Sequence, residues 1–391
     1  MLVCACSESP HPQMNTNSPS VQSALIPKVE SSSKKYVSQC VSVPFNLNNE
    51  FDNTAMLLAG KELKNREFNK FPYWEMYREF IDISWKKLKQ QRLDKITKWR
   101  EQEIASVDTL THTVFYPFSG PDFLTVSVLF PKADTFILLG LEPVGALPDF
   151  SRMTPDQQQN YLSFFSNSLS DIFGKSYFIT RKMLNDFQTQ KVNGLLSVLC
   201  FFIKKLNYEI ADMRYIYKDN THQIKEMNYH SKSMCKSFGI KITAIKDSCA
   251  KTIYYFRYNV TDKFFNDSST FYHHLAHYHH YATYIKSASY LLHNPFMKNM
   301  RQLILKNSVI ILQDDTGVPY KYLADTSIWN LRLYGEYDKP VKDFKKMGYQ
   351  PDLAKKMKEE STRIPKLPFH LGYHWGNKKD VLLFAIKKNK R

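Results

Sequence analysis

Apolar and polar positions along this chain alternate with two periods, and the clearest pattern lies between Thr111 and Asp149. Thr113 to Phe118 is β-branched and aromatic, which predicts a strand. Ser119-Gly120-Pro121-Asp122 interrupts it. Gly120 permits a positive φ, Ser119 or Gly120 can cap a helix, and Pro121 suits its first turn. Phe123 to Phe130 then predicts a short helix, broken by Pro131-Lys132-Ala133-Asp134. Thr135 to Leu141 is a nearly continuous apolar run, the mark of a strand buried on both faces, and it ends at Glu142-Pro143.

A strand, helix and strand of these lengths predict a parallel crossover. Ligands of such sheets bind beyond the carboxyl ends of the strands. Tyr116, Ser119, Gly120, Asp122 and Glu142 are therefore the candidate cofactor-binding residues, with Glu142 where many nucleotide-binding folds hold a ribose. One glycine stands where the dinucleotide fingerprint needs three, so close approach of a pyrophosphate is not indicated. The plainer reading of SGPD is turn and cap chemistry alone.

Before this unit, Trp74, Tyr77, Ile81, Trp85, Leu88, Ile96 and Trp99 recur at helical spacing between charged residues, which predicts one long amphipathic helix or two shorter ones. After it, a helix capped at Thr154 is expected to about Ile172, then a strand over Lys175–Thr180 and a helix from Arg181. The apolar run Leu195–Ile203 is too short to span a bilayer and reads as a buried helix. Glu209–Tyr217, Gly239–Ile245 and Thr252–Val260 read as strands, the last two as a hairpin around Asp247-Ser248. Thr283–Leu292 and Phe296–Asn307 are expected as helices, Val309–Leu312 and Asp380–Lys387 as strands, and Pro340–Glu360 as a basic surface helix.

The expected fold is thus α/β, a mixed, largely parallel Rossmann-like sheet with flanking helices and a long amphipathic helix before it. Residues 1–45 read as a disordered leader or tether, 46–110 as a helical segment packing on the core, and 111–391 as the α/β domain.

Two further clusters carry candidate chemistry. FYHHLAHYHH at 271–280 places His273 and His277, and His274 and His277, on shared helix faces, so these three are the metal ligands to test. No HExxH motif accompanies them, and a partly exposed aromatic helix is the plainer reading. Asp314-Asp315 follows a buried strand, where such acids bind metal or act as a base; Asp315 is the candidate catalytic residue. An Asp-rich turn explains the same residues without chemistry. His370 and His374 could line a pocket.

The segments YPFSGPDF, LLGLEPVGALPD, SASYLLH, LQDDTGVPY and LPFHLGYHW resemble an uncharacterised family of bacterial envelope proteins, many with lipoprotein-type leaders. The resemblance covers most of the chain after about residue 70 and implies a bacterial exported protein. It implies no activity and no catalytic assignment.

Composition adds a little. Of 391 residues, 43% are hydrophobic and 14% aromatic, enough for a large core, and the formal net charge is +17. Such a chain is drawn to acidic surfaces or polymers. Yet its basic residues are dispersed and mostly Lys, with no specific nucleic-acid motif. The six cysteines stand at 4, 6, 40, 200, 235 and 249 without metal-type spacing. Cys235 and Cys249 could pair in an oxidising compartment. Ala5-Cys6-Ser7 resembles the end of a lipoprotein signal, with Cys6 the lipidated residue and Glu8–Tyr36 the tether to a membrane. The charged start and long apolar core of such a signal are missing.

No complete catalytic motif is visible. The functional expectation is a binding role in the bacterial cell envelope, at an acidic or apolar partner. The alternative is a Rossmann-like enzyme of diverged methyltransferase-like type that uses the SGPD turn and Glu142.

Overall fold

The computed structural model describes residues 50–63, 72–175, 193–229, 237–376 and 379–388. Cys4, Cys6, Cys40 and Cys235 lie outside these residues, as do the strand and helix expected between Lys175 and Phe187, Lys175 itself aside.

The chain enters through three helices, α1 (Glu50–Leu58), α2 (Pro72–Leu88) and α3 (Asp94–Glu103). A π-helical segment, Lys89–Leu93, joins α2 to α3, so the long amphipathic run is continuous but has one wide turn. That turn brings Arg92 inward, where it is buried and donates to the carbonyls of Ile172 at 3.1 Å and Lys175 at 2.6 Å. Wide turns of this kind re-aim one side chain off the regular stripe.

The central unit forms as its pattern dictates: β1 (Thr113–Tyr116), α4 (Phe123–Leu129) and β2 (Thr135–Gly140). β1 and β2 are parallel, with Val114 opposite Phe136 and Tyr116 opposite Leu138. Next come α5 (Pro155–Gly174) and α6 (Leu196–Lys205), then β3 (Glu209–Lys218), β4 (Ile224–Asn228), β5 (Ser237–Lys246) and β6 (Cys249–Arg257). At the start of α5, Thr154 Oγ1 accepts from the Gln157 amide while Gln157 Oε1 accepts from the Thr154 amide, a reciprocal cap. The hairpin β5–β6 is antiparallel, as its turn residues require. The longer elements that follow are α7 (Thr270–Ala276), β7 (Tyr281–Ile285), α8 (Lys298–Asn307), β8 (Ser308–Gln313), β9 (Trp329–Gly335), α9 (Pro351–Glu359) and β10 (Val381–Lys387).

The ten strands form one sheet in the order β4-β3-β5-β6-β2-β1-β7-β8-β10-β9. The block β6-β2-β1-β7-β8 is parallel throughout. Both wings are antiparallel. The expectation of a largely parallel sheet is therefore corrected: four pairings are parallel and five antiparallel. The reason is local only in part. Short turns join β3 to β4 and β5 to β6, and such turns reverse the chain, while on the other wing β10 enters antiparallel between β8 and β9.

Alternate side chains of the central strands enter two separate cores. Val114, Tyr116, Phe136, Leu138, Tyr284 and Leu312 face α1 to α6. Phe115, Ile137, Leu139, Tyr281, Ile285 and Ile311 face α7, α8 and α9. With helices on both faces, neither side of the parallel block meets water, which explains why β2 and β7 carry almost no polar residues.

One expected helix is corrected. Thr283–Leu292 does not form one; Tyr281–Ile285 is a fully buried strand in the middle of the sheet. Tertiary burial on both faces outweighs the Ala and Ser that suggested a helix. The sequence reading also missed β4 and β9, and Pro340–Glu360 is not one helix: a four-residue helix, Lys345–Gly348, precedes α9.

Candidate ligand cavity at the strand-order reversal

After β1 the chain builds outward to β2 and later β6, then crosses back to lay β7 on the other side of β1. Loops leaving β1 and β7 therefore diverge, and a crevice opens at their carboxyl ends. A cavity of about 300 Å³ occupies this place. Tyr116, Phe118, Ser119, Gly120 and Asp122 line it from β1, Leu139 to Glu142 from β2, Tyr258 to Thr261 from β6, Lys286 to Ser289 from β7, and Tyr373 from the segment before β10.

All five residues proposed for cofactor binding thus meet at one site. Asp122 is the most tightly held. It caps α4, with Oδ1 accepting from the Thr125 amide at 3.1 Å and Thr125 Oγ1 at 3.0 Å. Its Oδ2 accepts from the Tyr116 hydroxyl at 3.2 Å and from Lys286 Nζ at 2.6 Å. Both members of the Asp122–Lys286 pair are almost wholly buried. Burial lowers the Lys286 pKa, opposed by the Asp122 charge. Burial, then Asp122, raises the Tyr116 hydroxyl well above its ordinary range. With four donors, the Asp122 carboxylate is saturated. It fixes the loop rather than offering a free oxygen to a ligand.

Glu142 is also buried. Its Oε2 accepts from the Leu141 amide at 3.1 Å, and the Tyr255 hydroxyl donates to the Glu142 carbonyl at 2.8 Å with Oε2 at 3.4 Å. The carboxylate folds back over Gly140: a Cβ there would stand 2.5 Å from Oε2 and 2.6 Å from the Tyr255 oxygen. Only glycine leaves room for that turn.

The SGPD loop is not an anion cradle. The Ser119 and Gly120 amides both point at the Leu139 carbonyl, at 2.7 and 3.3 Å. The Asp122 and Phe123 amides bond within the loop, and the Thr125 amide is taken by Asp122. A pyrophosphate needs such donors free. Here they are engaged, and a carboxylate stands among them.

The remaining candidates lie elsewhere. Asp315 does not line the cavity. It is buried behind it, bonded to the Tyr290 hydroxyl, with His374 Nε2 3.2 Å from Oδ1 in an ionic contact outside hydrogen-bond geometry. Its expected role as base or ligand therefore has no geometry behind it. His370 pairs with Asp380 at 2.6 Å, and neither His370 nor His374 reaches the cavity. His273 bonds the Asp267 carbonyl, while His274 packs edge-on against Phe256. Among the described residues no three His, Cys, Asp or Glu side chains converge as a metal requires, so His273, His274 and His277 do not form a centre.

Lys286, Ser287 and Tyr373 were missed by the sequence reading. The signal available was the β-branched and aromatic run Tyr281–Ile285, which places the next residues at a strand's carboxyl end. Cys249 is disulfide-bonded, and Cys200 is a free buried thiol whose pKa burial raises. No described helix is long and apolar enough to cross a membrane. Compared with known proteins, the chain matches no family model, no curated protein and no solved structure.

Proposed function

We propose that the cavity binds an S-adenosyl-type cofactor and that the chain is a Rossmann-like protein of methyltransferase type. The strand order carries this reading. Counting β1, β2, β6, β7, β8, β9 and β10 as first to seventh, that part of the sheet reads third, second, first, fourth, fifth, seventh, sixth. The first five follow the order of dinucleotide-binding sheets. The seventh is reversed and inserted between fifth and sixth, an arrangement typical of methyltransferase-like sheets. The likeness is one of order and direction, and fold alone does not assign an activity.

The residues present fit that ligand better than a dinucleotide. The engaged loop amides disfavour phosphate. Glu142 stands where a ribose diol would be accepted. Asp122 is paired with Lys286, so Glu142 gives the lining a net acidic character that favours a cation, and Phe118 and Tyr258 are among the lining residues. A cofactor of this kind supplies a methyl group on a sulfonium. The chain's own part is to accept its hydroxyls, hold its charge and exclude water. Calorimetry on the full chain tests this: S-adenosylhomocysteine is expected to bind, Glu142→Ala to weaken it at least tenfold, and NAD not to bind. Absence of S-adenosylhomocysteine binding overturns the reading.

A second reading keeps the protein exported and non-catalytic, tethered through Cys6 and binding an acidic or apolar partner in the bacterial envelope. The disulfide at Cys249 favours it, because such bonds persist in oxidising compartments. A cytosolic chain with a reduced Cys249 would argue for the first reading; an oxidised, lipid-modified chain would argue for the second.

A further inference from the structure

β9 is the last strand of the sheet and pairs with β10 alone, so one of its edges has no strand beside it. The parity of its bonds fixes which groups face outward. Just beyond its two ends, the Lys388 amide donates to the Ile328 carbonyl at 2.8 Å and the Glu336 amide to the Asp380 carbonyl at 2.9 Å. The register between them is unbroken, from Trp329 opposite Lys387 to Gly335 opposite Val381. In an antiparallel ladder, alternate residues bond the same neighbour. Asn330, Arg332 and Tyr334 therefore bond β10, and Trp329, Leu331, Leu333 and Gly335 turn their amides and carbonyls outward.

The two ends of this outer edge are covered. The Trp329 amide donates to the Asp325 carbonyl at 2.9 Å and the Gly335 amide to the Pro365 carbonyl at 2.8 Å. Between them, the outward N–H and C=O groups of Leu331 and Leu333 have no partner among the described residues. They are also reachable. A groove of about 730 Å³ follows β9 from Trp329 to Tyr334, with Ile364 adding to its apolar wall. An open edge of this kind is a template for another extended chain.

Charge narrows the choice of chain. Arg332, Lys356, Arg363 and Lys388 line the groove against two acids, Glu103 and Glu360. Both acids are engaged, Glu103 with Arg332 at 3.5 Å and Glu360 with Lys356 at 2.7 Å. Arg363 and Lys388 are exposed and have no carboxylate partner among the described residues. A second copy of the chain would set these cations against themselves, because a two-fold contact brings one patch onto the same patch. An acidic strand would neutralise them.

We propose that the outer edge of β9 takes up an extended acidic segment of a partner protein as an added strand. Main-chain bonds at Leu331 and Leu333 hold the segment, its alternate side chains enter the groove, and Arg363 and Lys388 select for acidic residues. β8 and β10 separate β9 from β7, so the site is distinct from the cavity and does not depend on what the cavity binds.

Fluorescence anisotropy on the full chain tests this with three labelled peptides: one alternating valine and glutamate, one alternating valine and lysine, and the glutamate peptide with its amides N-methylated. The first is expected to bind, and the other two at least tenfold more weakly. Arg363→Glu combined with Lys388→Glu is expected to weaken the glutamate peptide at least tenfold and to strengthen the lysine peptide. Leu331→Pro removes an outward amide that β10 does not use, at a place where edge strands tolerate proline. It is expected to weaken the glutamate peptide about tenfold with the melting temperature unchanged; if it melts lower, the charge-reversed variant, altered only at exposed side chains, decides. No binding of the glutamate peptide overturns the proposal. Equal binding of its N-methylated form also overturns it, because attraction to a basic surface would then suffice. A dimer of the unaltered chain in sedimentation that Leu331→Pro dissolves would put a second copy on this edge and overturn the acidic partner.

Discussion

Lys286 Nζ lies 2.6 Å from Asp122 Oδ2, joining residues 164 positions apart across the cavity floor. The pair ties the loop after β1 to the turn after β7, the two segments that diverge to open the crevice. Arg92 stands behind it, its pKa lowered to about 10 by burial, with the Asp122 charge opposing.

Breaking this pair from one side strands a charge in the interior. Lys286→Met is expected to cost about 3–5 kcal/mol in urea denaturation, because Asp122 then loses its hydrogen-bonded counter-ion. Lys286→Met combined with Asp122→Asn is expected to recover most of that loss. A double variant no more stable than the single one would show that the cap on α4, not the ion pair, is what matters.

Gly140 sets the shape of the Glu142 turn. Gly140→Ala places a methyl where the Glu142 carboxylate and Tyr255 hydroxyl now meet. The carboxylate must move, so binding of S-adenosylhomocysteine is expected to fall tenfold or more. Titration calorimetry reads it directly; unchanged affinity would remove Glu142 from the site.

Stability should carry the titration of Asp314. Burial, and then the neighbouring Asp315 charge, push its carboxyl up to about 6. An unfolded aspartate titrates near 3.9. Between about pH 4 and 6 the folded state therefore holds more protons than the unfolded one, and stability contributed by this group falls as pH rises through that window. Above about 6 the effect is flat. The difference in urea midpoint between the unaltered chain and Asp314→Asn, followed from pH 4 to 7, is expected to show this slope. A difference independent of pH would place the proton elsewhere.

His374 acts in the same direction at higher pH. Burial lowers its pKa, but contact with Asp315 outweighs this and the net shift is upward. Its contribution is full below the ordinary histidine range and is lost as pH rises through the raised value. Histidine resonances followed by NMR should show one imidazole titrating late, absent in His374→Gln.

Cys249 sits at the start of β6, in the hairpin next to the parallel block. Reduction under native conditions is expected to lower stability by about 2–4 kcal/mol. Cys249→Ser should reproduce the loss and make the protein indifferent to reductant. No effect of reductant would show that the bond is dispensable to the fold.

Much of this architecture is legible in the chain. The β1-α4-β2 unit follows from a β-branched run, a Gly-Pro turn and a second apolar run, and the hairpin β5–β6 from its turn. Tyr116, Ser119, Gly120, Asp122 and Glu142 were legible as one site because a parallel crossover brings its carboxyl ends together. β7 was not. Its five residues are buried on both faces, and a fully buried run has no alternation to separate strand from helix. With β7 misread, Lys286 and Ser287 could not be placed. Asp314-Asp315 invited a catalytic reading, since sequence cannot distinguish carboxylates that face a ligand from carboxylates that brace a turn.

Most local elements follow from the chain alone, because turn chemistry, helical spacing and apolar runs act over a few residues. Which strands lie side by side, and so which of the acids along the chain share a cavity, depends on the assembled fold. Strand order is fixed by burial of both sheet faces against helices drawn from the whole chain. That is a sum over distant contacts, and no single stretch encodes it.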